Sequence, residues 1–184
     1  MSLEDRIIDY KDNVLDIEHW VALKGEFRYE SIINFLVENK IECTWSNVTY
    51  YIKYDKRLLI NSFKYIVFLE EMYKSFIFRK HKDPKIKNAP FRNAYHSFLS
   101  LGDDVIFDDI DLKLMKKYET AINVFRNSVV HNRILLNGKY DGLSLVETLT
   151  IFIKILPFSY RNGFIRDIND CSKGLSNDLW NIKL

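Results

Sequence analysis

The stretch DLKLMKKYETAINVFRNSVVHNRILL, residues 111–136, decides the reading of the fold. It contains neither proline nor glycine. Its large apolar residues Met115, Tyr118, Ile122, Phe125 and Val129 recur at intervals of three and four, the period of one helix face. At about 100° per residue, Thr120, Val124, Asn127 and His131 fall on a second line more than a third of a turn away, with Arg126 between the two. The pattern predicts one helix over 111–136, stopped by a left-handed turn at Asn137-Gly138. One side of that helix must meet a core. The other, mixed and polar, can meet a substrate or a partner, and a symmetric homodimer is the commonest partner arrangement.

Outward from this stretch the same helical period recurs, and breakers are scarce, with 6 Gly and 3 Pro in 184 residues. Ser2 and Asp5 predict a capped start to a helix over 6–14. A second helix is expected over about 26–38, with Ile32, Ile33, Leu36 and Val37 facing inward. Residues 48–53, rich in β-branched and aromatic side chains, leave helix and a short strand or hairpin both open. Asp55 reads as the cap of a long helix that ends before Pro84 and carries the inward stripe Leu59, Phe63, Ile66, Leu69, Tyr73 and Phe76. Further helices are expected over 92–101, 161–169 and 175–182. Another over 145–156 is opened by the capping box of Ser144 and Glu147 and closed by Pro157. The expectation is a single all-α domain over 1–184, a helical bundle with extra short helices.

Composition narrows the function. Hydrophobic residues at 47% and charged residues at 28% exclude a disordered or low-complexity chain. Lys and Arg number 27 against 25 Asp and Glu, which excludes a uniformly basic nucleic-acid binder while allowing a local patch. Residues 79–92 read as an exposed basic loop. There Arg79, Lys80, Lys82, Lys85 and Lys87 either guide RNA phosphates or are simply solvated. The acidic run of Asp103, Asp104, Asp108, Asp109 and Asp111 reads as favouring the positive end of the helix that follows, ahead of a Mg²⁺ site. Cys43 and Cys171 are too few for a disulfide framework or an unaided zinc site. The longest apolar runs are broken by Glu70, Glu71 and Lys154, far short of the ~20 residues that span a bilayer. With no signal-peptide pattern at the N-terminus, a soluble cytoplasmic protein is expected.

The chemistry-bearing string is Arg126-Asn127-Ser128-Val129-Val130-His131-Asn132-Arg133. Arg-Asn, three residues, then His, late in an all-helical domain, resembles the R-x4–6-H signature of HEPN ribonucleases, and the longer string resembles their Abi (abortive phage infection) branch. Asp55-Lys56-Arg57-Leu58-Leu59, followed by residues 68–74 with Glu70 four before Lys74, resembles that branch's upstream helix. Lys74 departs from the arginine expected there. Arg92-Asn93-Ala94-Tyr95-His96 has the same letters with one residue fewer and reads as a decoy. The resemblance implies metal-independent RNA cleavage that needs no cofactor and leaves a 2′,3′-cyclic phosphate. It further implies two motif sets face to face in a homodimer and a setting in phage defence or a toxin–antitoxin pair, with an antitoxin protein or RNA as partner. The residue types suit this reaction. An imidazole titrates near neutrality and can take or give a proton, so His131 is the acid–base candidate. Arg126 offers a forked cation to a phosphate gaining charge. Asn127 can hold the imidazole or a ribose oxygen, and Glu70 can support the site through Arg126. Arg133 reads as an ion-pair partner of an upstream carboxylate ahead of a phosphate contact. The alternatives are an exposed histidine beside a salt-bridging arginine, or a noncatalytic HEPN-like module that binds RNA or protein.

Overall fold

Residues 45–81 contain no glycine or proline, and in the computed structural model, which describes residues 2–102, 110–174 and 180–184, they form one unbroken helix. This helix, α4 (Trp45–His81), has 37 residues and is therefore about 55 Å long. Thr44 caps its start, accepting from the Asn47 amide at 3.3 Å, and Lys82 in the left-handed conformation (φ 54°) ends it ahead of Pro84. Asp55 is thus not a cap but lies well inside the helix and fully buried, and residues 48–53 are helical rather than a strand or hairpin. Val48, Tyr51, Ile52 and Tyr54 are all buried, so packing overrides the β propensity of these side chains.

The other helices are α1 (Leu3–Arg6), α2 (Val14–Lys24), α3 (Glu26–Glu38), α5 (Phe91–Leu99), α6 (Leu112–Lys117), α7 (Glu119–Val130), α8 (Leu145–Ile155) and α9 (Phe158–Asn169). Among the described residues the one β-type pairing is an isolated bridge between Tyr140 and Leu143, so the fold is all-α. The rod α4 runs through the middle, with α3, α5, α7 and α9 packed along it. Aromatic side chains fill the contacts. Tyr73 meets Phe91, Tyr95 and Phe98 at one end, Tyr65 meets Phe164 midway, and Tyr51 meets Phe35 toward the other. Because α4 is covered on more than one side, its buried residues include Leu58, Ser62, Tyr65 and Met72 as well as Leu59, Ile66, Leu69 and Tyr73 of the expected stripe, whereas Phe76 is half-buried and Phe63 stays 44% exposed.

Local signals fare differently from point to point. The Ser144–Glu147 capping box forms, with the Glu147 carboxylate accepting from the Ser144 amide at 2.8 Å. Asp5 accepts from the Ser2 amide, but α1 is a single turn. A 3₁₀ turn at Tyr10–Asp12 replaces the helix expected over 6–14, and α2 begins only at Val14. Asp103, Asp104, Asp108 and Asp109 lie outside the described residues, as do positions 175–179 of the expected final helix; residues 180–184 are not helical. Asp111 caps α6, accepting from the Leu114 amide at 2.8 Å. No helix among the described residues is long and apolar enough to cross a membrane.

Candidate functional site

The expected single helix over 111–136 is two helices that stop early. A joint at Tyr118 separates α6 from α7, and α7 ends at Val130 with His131 as its C-cap. The stop lies inside the motif. Asn132 is left-handed (φ 54°), its amide donates to the Val129 carbonyl at 3.1 Å, and the Arg133 amide donates to the Ser128 carbonyl at 2.9 Å. These two bonds are a Schellman closure, with asparagine taking the left-handed place usually given to glycine. Gly138 does not have a left-handed φ. It is small because a Cβ there would sit 2.3 Å from the Tyr140 hydroxyl.

Three side chains from earlier helices clamp this turn. Arg28 on α3 donates to the Asn132 carbonyl at 2.8 Å, and Lys56 on α4 donates to the Asn132 side-chain oxygen at 3.0 Å. Asp55 Oδ1 accepts from the amides of Leu135 and Leu136 at 2.7 and 3.0 Å, while its Oδ2, 4.0 Å from Arg28, has no hydrogen bond among the described residues. Burial pushes the Asp55 carboxyl up from 3.8 to about 6, against the opposing pull of the two amides, Arg28 and Lys56.

Arg126 projects from α7 into a cleft of about 420 Å³ lined by α4, the start of α5 and α7. Its guanidinium meets Glu70 at 3.3 Å, lies 5.2 Å from the centre of the Phe91 ring and donates to Asn127 Oδ1 at 3.2 Å; its Nε is buried without a partner among the described residues. Glu70 also takes Lys74 at 2.8 Å, so Lys74 is a half-buried member of this network rather than a plain surface lysine. His131 is exposed, has no polar partner among the described residues and does not line the cleft. Arg126 and Asn127 are therefore brought together, while His131 stands apart at the helix end. Asn127 turns its oxygen to Arg126 instead of the imidazole.

Arg133 makes no ion pair among the described residues. Because α7 has already ended, its side chain lies in solvent, and Arg28 takes the place beside the upstream carboxylate, Asp55. In the basic segment, Arg79 and Lys80 finish α4, Lys82 ends it, and Lys85 and Lys87 sit on a 3₁₀ turn at Pro84–Asn88; all five are exposed. Two groups passed over in the sequence border the Arg126 cleft. Arg92 lines it, and Glu119, which also lines it, binds His96 at 2.8 Å. The signal for Arg92, and for the His96 that meets Glu119, lay in the string read as a decoy. A further cleft of about 610 Å³ is lined by Leu23, Lys24, Arg28, Ile52, Lys53, Lys56, Arg57 and Asn132, none of them anticipated as site residues.

Cys43 and Cys171 are free and buried, and burial pushes both thiols up. Among the described residues no three His, Cys, Asp or Glu side chains converge as metal donors. No family model matches the chain, and no curated protein or solved structure shows significant similarity to it.

Proposed function

We propose that the protein is an endoribonuclease of the HEPN type, of the abortive-infection branch, that cuts RNA with Arg126 and His131 in a site completed by a second copy. One observation carries this reading. Arg126 is anchored by Glu70 at the edge of a cleft, and His131 is offered to solvent at a tightly closed end of the same helix. The two side chains are five positions apart on α7, about 140° around its axis, so one copy presents them to different sides. A two-fold axis beside the helix end supplies the missing convergence.

In such a site one imidazole takes the proton of a ribose 2′-OH as its oxygen attacks the adjacent phosphorus. The guanidinium neutralises charge building on the phosphoryl oxygens. The second imidazole protonates the departing 5′ oxygen, leaving a 2′,3′-cyclic phosphate and a 5′-OH. Phage defence or a toxin–antitoxin pair, with an antitoxin protein or RNA holding the enzyme in check, is the setting that goes with this reading.

A noncatalytic binding module is the second reading, favoured by the lack of any carboxylate holding the His131 ring among the described residues. His131→Ala separates the two. The ribonuclease reading expects the variant to lose formation of cyclic-phosphate ends, by on the order of 10²-fold or more, while still binding RNA. A wild type that never cuts single-stranded RNA, at any salt concentration, leaves the binding module.

A further inference from the structure

The cleft of about 610 Å³ reaches Asn132 and shares no lining residue with the Arg126 cleft. It gathers Lys24 at the end of α2, Arg28 on α3, and Lys53, Lys56 and Arg57 on α4. Among the described residues no carboxylate lines it. Asp55, directly behind, is fully buried and is occupied by two amides and Arg28. In a chain whose net charge is only +2, five cations on one concave surface make a local field of one sign.

Apart from Arg28, which faces Asp55 at 4.0 Å, the cations are held in place with no carboxylate partner among the described residues. Arg28 and Lys56 donate to Asn132, Arg57 donates to the carbonyls of Cys171 and Lys173 at 3.1 and 2.8 Å, and Lys24 lies 4.5 Å from the centre of the Trp20 ring. Carbonyl, amide and ring are neutral partners, so the positive charge of Lys24, Lys56 and Arg57 remains available to a ligand. Lys53 is exposed, with no acidic partner among the described residues. Leu23 and Ile52 add apolar surface between the cations. A positively charged groove that tracks the backbone is what a single nucleic-acid strand uses, its phosphates lying along the cations.

We propose that this groove binds consecutive phosphates of single-stranded RNA and leads the strand to His131, whose chain neighbour Asn132 forms its rim. The choice of ligand rests on the ribonuclease reading, while the site itself rests on the charge and shape of the groove.

The test is fluorescence anisotropy of a short, labelled single-stranded RNA carrying 2′-O-methyl groups, so that binding is read without cleavage. The full chain is compared with a Lys24→Glu/Lys53→Glu variant and with a Lys113→Glu/Lys116→Glu variant of equal charge change at exposed positions of α6. A milder Lys24→Gln/Lys53→Gln variant covers the case in which charge reversal disturbs folding, checked by circular dichroism. The groove variant is expected to bind on the order of tenfold more weakly or worse. Its plot of log affinity against log salt should flatten by about 1.4, some 0.7 for each lost phosphate contact. The control should bind as wild type. Unchanged binding by the groove variants, or an equal loss in the control, overturns the proposal. A wild type that binds through the groove yet never cuts leaves the groove standing and removes the ribonuclease; a groove variant that binds and cuts like wild type does the reverse.

Discussion

Asp55 accepts two backbone amides with one oxygen and leaves the other without a hydrogen bond, in a site with 0% exposure. Removing the side chain orphans both buried amides. Asp55→Ala is therefore expected to cost about 2–4 kcal/mol, read as a lower urea midpoint. The same residue sets a pH dependence. Its carboxyl is raised to about 6, so between pH 4 and 6 the folded chain holds a proton there that the unfolded chain has released. Stability from this group is therefore fully present below about pH 4 and is lost as pH rises to and through 6, a change of roughly 3 kcal/mol. Asp5, Glu147 and Asp167, whose carboxyls are lowered, act oppositely in more acid solution. The check is the slope of unfolding free energy between pH 4 and 7, which should flatten in Asp55→Asn relative to wild type. In the sequence Asp55 suggested a cap because aspartate favours that role, yet Tyr51, Leu58 and Leu59 at helical spacing around it already marked an inward position.

At the scale of elements, the closure of α7 decides how His131 is presented. Asn132→Ala puts a Cβ residue without a side-chain amide into the left-handed position and removes the acceptor of Lys56, at an expected cost of about 1–2 kcal/mol. Asn132→Gly keeps the turn and loses only the Lys56 bond. Thermal unfolding should rank wild type and glycine close together, with alanine lower by several degrees. The capping box at Ser144 was legible because every group it needs lies within four residues. The closure at Asn132 was not, since asparagine turns left-handed there alongside contacts with Arg28 and Lys56, residues far away in the chain. The expected helix ran on to Leu136, and nothing local said that Leu135 and Leu136 belong to a loop pinned by Asp55.

For the whole molecule, the all-α class was legible because helical periodicity and the scarcity of breakers are properties of the entire chain. The Arg126–Glu70 pairing was legible only through the resemblance. The basic groove was not, because its five cations are spread from residue 24 to residue 57 and become neighbours only when α2 and α3 fold back on α4. Phe27, 77% exposed on the first turn of α3 and adjacent to Arg28, is the residue we propose for the contact between two copies. If it belongs to that contact, Phe27→Glu should shift the chain toward monomer in sedimentation velocity and lower cleavage on the order of tenfold or more.

The rod α4 carries Lys56 at the groove and Glu70 at the Arg126 cleft with no break between them. That sets the two about 21 Å apart along one axis. A stiff shaft cannot draw its two stations together, so under the proposed ribonuclease reading an oligonucleotide too short to bridge the gap is expected to engage one station and never both.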